Sequence, residues 1–448
     1  MEIKNTKLHF IGVGGVGMSA LAQLYHSMGA QVSGSDMKES PQLKELEDKG
    51  IKIFVGHRSE QVTSEMDVVV YSSAIHPENP ERQQALALKV PIIPRAEALA
   101  EIMRFKRGIA VGGTHGKTTT TSMISSIFMH SQFDPTIAVG GRLKLIQSTA
   151  RLGKGPWMVA EADESDGSFS RYHPEICIIT NIDTDHLDHF GNFENLQQAF
   201  LNFALNVPFY GTAVVYGDDP NIRALFKTYT KKIYFYGLSE DNDFVLTKKE
   251  NNYEIKSRSG LIGQFSLQVP GRHNALNALA AAIATHAAGV TWEQCMKGLD
   301  EYSGVDRRFQ KIGEIKGVSV FDDYAHHPTE IAATIAAARE LCPQGQLHLI
   351  YQPHRYTRTR DCWSDYQKCF TGCDALYLLD IYPAGESPID GVNSLLLSQG
   401  LGSSARYFEN KEELPVEVIR GLRPGDVVLT MGTSDVWQMA HKLIESGQ

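Results

Sequence analysis

The chain has 448 residues, of which 42% are hydrophobic and 21% charged, and its formal net charge is −9. This length predicts about three domains of roughly 150 residues each. The acidic balance argues against nonspecific nucleic-acid binding as the main function, because phosphate backbones require basic surfaces. No apolar run is long enough to span a bilayer, so we predict a cytoplasmic protein. The six cysteines form no C-x-x-C pair, which argues against a zinc site or a disulfide framework.

Short runs rich in valine and isoleucine alternate with helical patterns along the chain. This alternation is typical of parallel sheets covered by helices. Plausible domain boundaries lie near residues 91–107 and near residues 302–304. The sequence therefore predicts an α/β protein in which the central segment is the longest.

The N-terminal segment begins with a predicted strand at residues 8–11, a G-x-G-x-x-G sequence at 12–17 and a helix at 18–28. A second strand at 31–34 leads to Asp36, about 20 residues after the glycines, where an acid commonly meets a ribose hydroxyl. A nucleotide-sugar diphosphate fits this pattern as well as a nicotinamide cofactor does. A glycine turn that only packs helix against strand is the third alternative.

A third strand is predicted at residues 67–71, followed by Ser72 and Ser73. Small hydroxyl residues at the carboxyl end of a strand lie where ligands bind in such sheets. A solvated turn explains these serines equally well.

The central segment carries Gly113-Thr114-His115-Gly116-Lys117-Thr118 between a predicted strand at 108–111 and a predicted helix at 119–128. This arrangement is typical of a phosphate-binding loop. Its backbone N–H groups and helix N-terminus face phosphate oxygens, the lysine neutralises charge and the threonine hydroxyl can hold Mg²⁺. The match is imperfect, because Val111 occupies a position where the general pattern has glycine.

Two polar clusters follow the next predicted strands of this segment. Residues 161–166 contain four acids after a strand at 157–160, and residues 181–189 contain acids and histidines after a strand at 176–180. Carboxylates at one sheet edge favour Mg²⁺ bound to nucleotide phosphates, and two metal ions would suit this arrangement. Solvated loops are the alternative. A lone histidine in a loop is usually structural, and only the neighbouring acids favour a metal-binding role for His186.

Residues 271–277 open an alanine-rich helix. The amide of Asn274 either caps this helix or contacts the edge of a purine base, and the sequence does not separate the two.

The C-terminal segment opens with Arg307 and Arg308, which either bind phosphate oxygens or form surface salt bridges. Predicted strands at 318–321 and 347–351 lead into clusters rich in histidine, acids and arginine. Both clusters fall at the carboxyl ends of strands, where an open sheet places its site. A pair of arginines in the second cluster would clamp a small carboxylate such as that of an amino acid.

Taken together, these motifs resemble those of the Mur ligase family over nearly the whole chain, and most closely its alanine-adding member. The resemblance implies three domains with mostly parallel sheets. They are a Rossmann-like UDP-sugar-binding domain at 1–97, a P-loop NTPase-like ATP-binding domain at 98–302 and a Rossmann-like amino-acid-binding domain at 303–448.

The resemblance also implies roles for individual residues. Those at ATP are Gly113, Thr114, His115, Gly116, Lys117, Thr118, Thr119, His273, Asn274, Asn277, Arg308 and Asp323. Those at the UDP-sugar are Gly14, Gly15, Val16, Gly17, Asp36, His57, Ser72 and Ser73. Those around alanine and the acyl centre are Tyr324, His326, His354, Arg355 and Arg358. Thr118 and Glu161 hold one Mg²⁺ and His186 serves a second metal ion; the catalytic residues are Lys117, Arg308 and His326, the last as a base.

The expected activity is ATP-dependent joining of L-alanine to the carboxylate of UDP-N-acetylmuramate through an acyl phosphate, in peptidoglycan precursor synthesis, by a monomer or homodimer. Three alternatives stay open. A ligase that attaches a whole peptide to the same sugar is the nearest, followed by a nicotinamide dehydrogenase, which would leave Lys117 unused, and by a nucleotide-gated binding protein without turnover.

Overall fold

The structure is a computed structural model that describes residues 3–250, 252–402 and 405–447. It divides into two compact units, Met1–Leu267 with Leu276–Ser303, and Gln268–Ala275 with Gly304–Gln448. The strands are β1 (Lys7–Ile11), β2 (Gln31–Asp36), β3 (Lys52–Val55), β4 (Val68–Tyr71), β5 (Ile92–Pro94), β6 (Arg107–Gly112), β7 (Thr136–Leu143), β8 (Ser148–Arg151), β9 (Trp157–Glu161), β10 (Ile176–Ile179), β11 (Thr212–Tyr216), β12 (Ile233–Gly237), β13 (Phe244–Lys249), β14 (Asn252–Ser257), β15 (Gly260–Phe265), β16 (Gln310–Ile315), β17 (Val318–Asp323), β18 (Leu347–Tyr351), β19 (Ala375–Leu378), β20 (Ala405–Tyr407) and β21 (Val427–Met431).

The α-helices are α1 (Val16–Ser27), α2 (Pro41–Asp48), α3 (Pro80–Ala87), α4 (Arg95–Met103), α5 (Lys117–His130), α6 (Leu187–Phe190), α7 (Phe193–Leu205), α8 (Pro220–Leu225), α9 (Arg272–Ala287), α10 (Trp292–Asp300), α11 (Pro328–Leu341), α12 (Tyr356–Asp361), α13 (Trp363–Cys369), α14 (Ser394–Leu401), α15 (Leu414–Gly421) and α16 (Trp437–Gly447). Short 3-10 helices cover Ser59–Gln61, Ser168–Arg171 and Phe226–Thr228.

The first unit contains two sheets, and the N-terminal one has the strand order β3-β2-β1-β4-β5 with every pair parallel. The strand predicted as the third is the fourth in the chain, because β3 intervenes. No residue of β3 is buried, so it lacks the continuous apolar run by which buried parallel strands are recognised.

The second sheet of this unit has ten strands in the order β15-β14-β13-β12-β11-β10-β6-β9-β7-β8. Its middle is parallel, with β6 between β10 and β9, and every residue of β10 is buried. This apolar centre brings the loops after β6, β9 and β10 to one edge, as the sequence predicted. The antiparallel strands β13–β15 and the β7–β8 hairpin were not predicted.

The sheet of the second unit has the order β16-β17-β21-β18-β19-β20, in which only the β16–β17 pair is antiparallel. The α/β class with mostly parallel sheets is therefore confirmed. None of the helices within the described residues has the length and apolar character that crossing a bilayer requires.

Candidate active site

The phosphate loop connects β6 to α5, and its conformation depends on two glycines. Gly113 has φ 131°, and a Cβ there would lie 2.0 Å from the Thr180 hydroxyl. Gly116 has φ 84° and is the N-cap of α5. Because side chains other than hydrogen are strained at positive φ and would collide here, the sequence needs glycine at both places.

The middle of the loop is bonded to the segment that follows β10. The His115 N–H donates to the Asn181 side-chain oxygen at 2.9 Å, and the Asn181 amide donates back to the His115 carbonyl at 3.0 Å. The Asp183 N–H donates to the Thr114 hydroxyl at 2.9 Å. We call these contacts the loop clasp. It fixes the loop ahead of the α5 N-terminus, whose N–H groups would receive phosphate oxygens.

Lys117 begins α5, and its ammonium is held at the mouth of the loop. Nζ donates to the carbonyls of Gly113 at 2.6 Å and Thr114 at 3.1 Å. It also lies 2.9 and 2.7 Å from the two carboxylate oxygens of Glu164, a side chain that is only 1% exposed. A lysine at this place in a phosphate loop is within reach of the phosphates that such a loop binds.

The buried pair has perturbed protonation. Burial, with repulsion from Asp163, raises the pKa of Glu164 to about 7, although Lys117 opposes the rise. Burial alone would lower the pKa of Lys117, but attraction by Glu164, Asp163 and Glu161 outweighs it and raises the pKa. Lys117 therefore stays charged at neutral pH, while Glu164 responds to small changes in its surroundings.

The predicted metal ligands lie at different distances from this pair. His186 Nε2 is 3.9 Å from a Glu164 oxygen and 3.6 Å from Asp185, and Thr118 is buried in the first turn of α5. Glu161 instead accepts the Gly140 N–H at 2.7 Å. Carboxylate and hydroxyl oxygens are the ligands that Mg²⁺ prefers. The sequence analysis counts Glu164 among the four acids of residues 161–166 but assigns it no role of its own.

The glycine loop of the N-terminal sheet is closed by Asp36. The Gly14 N–H donates to the Asp36 carboxylate at 2.9 Å, and a Cβ on Gly14 would lie 2.9 Å from the same oxygen. Gly15 is the N-cap of α1. The predicted fingerprint thus forms a helix N-terminus, which favours anions, with an acid beside it.

A pocket of about 300 Å³ opens at this helix N-terminus, within the first unit. Its lining includes Gly15, Val16, Gly17, Ser72, Ser73, Arg95, Gly140, Glu161 and Asp163. The structure therefore brings the predicted glycines and serines together. It adds Arg95, for which sequence reasoning had no signal.

His57 lies in a buried polar group. Its Nδ1 is 3.0 Å from the Ser35 hydroxyl and 3.3 Å from a Glu81 oxygen. Ser35 donates to the same carboxylate at 2.6 Å, and His9 lies 3.7 Å from it. His57 is only 8% exposed, so its ring is held by protein groups on the Nδ1 side.

The predicted adenine residues fall in both units, and each is described within its own. In the first unit, Asn277 packs against the phosphate loop, since a Cβ on Gly116 would lie 2.7 Å from its side-chain oxygen. In the second, the Asn274 amide donates to the Pro270 carbonyl at 2.7 Å. Burial lowers the pKa of His273 to about 4, so this ring is neutral at pH 7.

The two adjacent arginines of the second unit differ in their contacts. Arg307 donates to the buried Asp322 at 3.1 Å and to the carbonyls of Gly432 and Thr433, so it braces the sheet. Arg308 lies with its guanidinium 5.1 Å from the Tyr324 ring.

Asp323 is anchored to the backbone. It accepts the N–H groups of Phe309 and Ala325, each at 2.7 Å. Burial raises its pKa to about 6 in spite of attraction from Arg308. This carboxyl therefore fixes the chain on either side of β17, and a contact with ATP ribose stays a prediction.

His326 follows β17 on a firmly held backbone. The hydroxyls of Tyr351 and Tyr366 donate to its carbonyl at 3.3 and 2.8 Å. Its Nδ1 lies 3.1 Å from the Tyr324 carbonyl and 3.6 Å from the Glu330 carboxylate. Because a carbonyl only accepts, the ring donates from Nδ1, and Nε2 keeps the lone pair that a proton acceptor needs.

The second arginine cluster is arranged around His354. Arg358 lies 3.0 Å from His354 Nδ1 and, being a donor only, leaves the proton of the neutral ring on Nε2. Burial, with repulsion from His326 and both arginines, lowers the pKa of His354 to about 3. Arg355 is paired with Glu386 at 2.5 Å, a partner that sequence reasoning missed.

Glu386 also accepts the N–H and hydroxyl of Thr357 at 2.9 and 2.6 Å. Burial would raise its pKa, but these bonds and Arg355 outweigh it and lower the pKa to about 2. The Arg355–Glu386 pair is thus ionised. Arg358, rather than Arg355, contacts the His354 imidazole.

The fold and the phosphate loop define an α/β nucleotide-binding protein. Three profiles of one family match the chain: "Mur ligase family, catalytic domain" at residues 7–107, "Mur ligase middle domain" at 111–285 and "Mur ligase, glutamate ligase domain" at 307–434. The chain belongs to the Mur ligase family.

Similar proteins support this membership over the full length. The chain is 52% identical to the UDP-N-acetylmuramate–L-alanine ligase of Bdellovibrio bacteriovorus, with 99% of each chain covered. It is 43% identical to the enzyme of that name from Pelobacter propionicus, with 98% of each covered. The crystal structure of UDP-N-acetylmuramate–alanine ligase from Thermotoga maritima has a TM-score of 0.82 at 29% identity, covering 98% of both chains.

Proposed function

We propose that this protein is an ATP-dependent ligase that joins L-alanine to the carboxylate of UDP-N-acetylmuramate, an early step of peptidoglycan precursor synthesis. The observation that carries the proposal is the position of Lys117 Nζ, held by two loop carbonyls and a buried carboxylate at the start of α5. Full-length similarity to alanine ligases supports the choice of substrates. We also propose a cytoplasmic location and a monomer or homodimer.

The first chemical step activates the muramoyl carboxylate. One carboxylate oxygen attacks the γ-phosphorus of ATP, the bond to the β,γ-bridging oxygen breaks, and ADP leaves. Lys117 and Arg308 would neutralise the charge on the transferring phosphoryl group, which is the main requirement of phosphoryl transfer. The loop N–H groups and the α5 N-terminus would bind the remaining phosphate oxygens.

A divalent cation would be held by Thr118, by Glu164 or Glu161, and by His186. When bound, Mg²⁺ supplies further charge neutralisation to the nucleotide phosphates. Glu164 lies nearest to Lys117 and His186, so we favour it over Glu161 as the acidic ligand.

The second step forms the amide. The alanine nitrogen attacks the acyl carbon and phosphate leaves with the C–O bonding pair. We assign the proton released from nitrogen to His326, whose backbone the two tyrosines hold. Tyr324, Arg355 and Arg358 would surround the alanine, and the Nε2–H of neutral His354 would donate to an anionic oxygen.

The remaining groups would bind the two nucleotides. Residues Gly14–Gly17, Asp36, Ser72 and Ser73 would hold the UDP portion at α1, with His57 on the uridine side. Adenine would be contacted by His273, Asn274 and Asn277, and ATP ribose by Asp323.

The test is a coupled assay of phosphate release with ATP and UDP-N-acetylmuramate, in which the acceptor is varied. We expect release that depends on both substrates and on L-alanine, and amide product by mass spectrometry. Release with a tripeptide but not with L-alanine would replace the proposal with the whole-peptide ligase. ATP binding without turnover under any combination would reject ligase activity.

A further inference from the structure

Arg95 occupies an unusual place in the first unit. It is the first residue of α4 and directly follows β5, which pairs in parallel with β4 so that Pro94 stands opposite Tyr71. Arg95 therefore stands at the carboxyl edge of the N-terminal sheet, beside Ser72, and it lines the pocket at the glycine loop. A cation at this edge lies where such sheets bind ligands.

The guanidinium is close to the first turn of α1. A Cβ on Gly17, the second residue of that helix, would lie 3.0 Å from Arg95 Nη1. The N-terminus of a helix attracts anions through its N–H groups and dipole. An arginine beside it adds a planar fork of donors that matches phosphate geometry.

Arg95 is at present paired with an acid from the other sheet of the unit. Its Nη2 lies 3.1 Å from Asp163 Oδ2, and the two side chains are 21% and 39% exposed. Glu161 and Asp166 act on the same guanidinium. The ion pair therefore reaches solvent at the pocket, so an incoming anion can compete with Asp163 for the arginine.

We propose that Arg95 binds the diphosphate of the UDP-sugar, and that Asp163 holds the guanidinium in position until the diphosphate displaces it. The inference rests on the proposed function, because it takes the substrate to be a UDP-sugar. Arg95 is thus a substrate-binding residue, and Asp163 is its positioning partner and competitor.

The experiment measures equilibrium binding by calorimetry, without ATP, on the full chain. The ligands are UDP-N-acetylmuramate and UDP-N-acetylglucosamine, which carries the same diphosphate but no lactyl carboxylate. The variants are Arg95→Met, Arg95→Lys, Asp163→Asn and the double variant Arg95→Met/Asp163→Asn. Arg104→Met is the matched control, because Arg104 caps the other end of α4 and is paired with Glu101 at the surface.

We expect Arg95→Met to weaken both ligands by a similar factor of about 10- to 100-fold, since a charge-assisted bond to phosphate is lost. Arg95→Lys should recover part of the affinity. Asp163→Asn should tighten both ligands severalfold by removing the competing carboxylate, and the double variant should show no such gain. Arg104→Met should bind as the unaltered protein does.

Three results would overturn the inference. Unchanged affinity in Arg95→Met would remove the contact. Weakening of UDP-N-acetylmuramate alone would assign the guanidinium to the lactyl carboxylate. Equal weakening by Arg95→Met and Asp163→Asn, with equal falls in melting temperature, would make the pair a structural bridge only. If the unaltered protein binds neither ligand, the proposed function fails instead, so the two failures are distinguishable.

Discussion

Replacing Lys117 with methionine tests the centre of the proposed site, because the change removes the charge and keeps a side chain of similar length. Glu164 loses the cation that lies 2.7 Å from it while remaining 1% exposed. Its pKa is already about 7 with the lysine present, against an ordinary value of 4.5, a difference equivalent to about 3 kcal/mol. The unaltered protein already carries that cost, and without the lysine the pKa rises further. Removing one partner of a buried ion pair costs about 3–5 kcal/mol, so the variant should be destabilised by about that amount at pH 8 relative to the unaltered protein.

The pH dependence has a definite sign. The folded variant holds the Glu164 proton more tightly than the unfolded chain does, so its stability decreases as the pH rises from 4.5 through the raised pKa. Thermal melting at pH 5 and pH 8 should therefore separate Lys117→Met from the unaltered protein mainly at pH 8. The double variant Lys117→Met/Glu164→Gln should regain stability at pH 8, since neither position then carries a charge.

Turnover should behave differently from stability. Loss of one preorganised group at a transferring phosphoryl lowers the rate by about 10²-fold or more, and the double variant should not recover it. Phosphate release at saturating ATP, UDP-N-acetylmuramate and L-alanine measures this. A Lys117→Met rate within threefold of the unaltered enzyme would refute the assigned role, and equal melting shifts at both pH values would refute the buried-pair argument.

Further predictions concern other parts of the site. Gly113→Ala should abolish ATP binding in a fluorescence titration, because its Cβ would lie 2.0 Å from the Thr180 hydroxyl, whereas Gly56→Ala, also at positive φ but in open space, should bind normally. Asp323→Ala should lower the free energy of unfolding by about 2–4 kcal/mol in urea, since two backbone N–H groups lose their acceptor; a change below about 0.5 kcal/mol would contradict this. The His354 ring should not titrate by NMR between pH 5 and 8, because its pKa is lowered to about 3 from 6.5. Its burial should reduce the stability of the fold as the pH falls from 6.5 towards 3, since the histidine of the unfolded chain takes up a proton first. An NMR titration midpoint of His354 near 6.5 would contradict the lowered pKa.

Local signals explain what the sequence predicted well. The two glycine loops require positive φ or a close backbone approach, and those requirements are visible as residue type at fixed spacing. Buried strands such as β10 are continuous apolar runs, so the loops that follow them could be assigned to one sheet edge before any contact was known.

The choice among neighbouring acids could not be predicted in the same way. Glu161 and Glu164 are three residues apart after β9, and both are compatible with a metal site by sequence. The path of the loop turns Glu164 towards Lys117 and Glu161 towards Gly140. That path depends on tertiary contacts rather than on spacing, and the same is true of the Arg355–Glu386 pair.

Some of the strands that the sequence analysis did not predict share a physical reason. Strands β3 and β13–β15 lie at sheet margins, and part of each faces solvent. Their polar residues interrupt the apolar runs from which buried strands are recognised. Pairing with neighbours decides their structure, so tertiary context overrides the local pattern.

The loop clasp has a consequence for nucleotide affinity. Because Asn181 already holds the backbone of His115 and Asp183 the hydroxyl of Thr114, little conformational entropy remains to be lost when a triphosphate arrives. If the ligand had to order the loop, the free energy of that ordering would be subtracted from the binding free energy, and the affinity would be lower. Asn181→Ala should therefore reduce ATP affinity, because the loop would have to be ordered by the nucleotide.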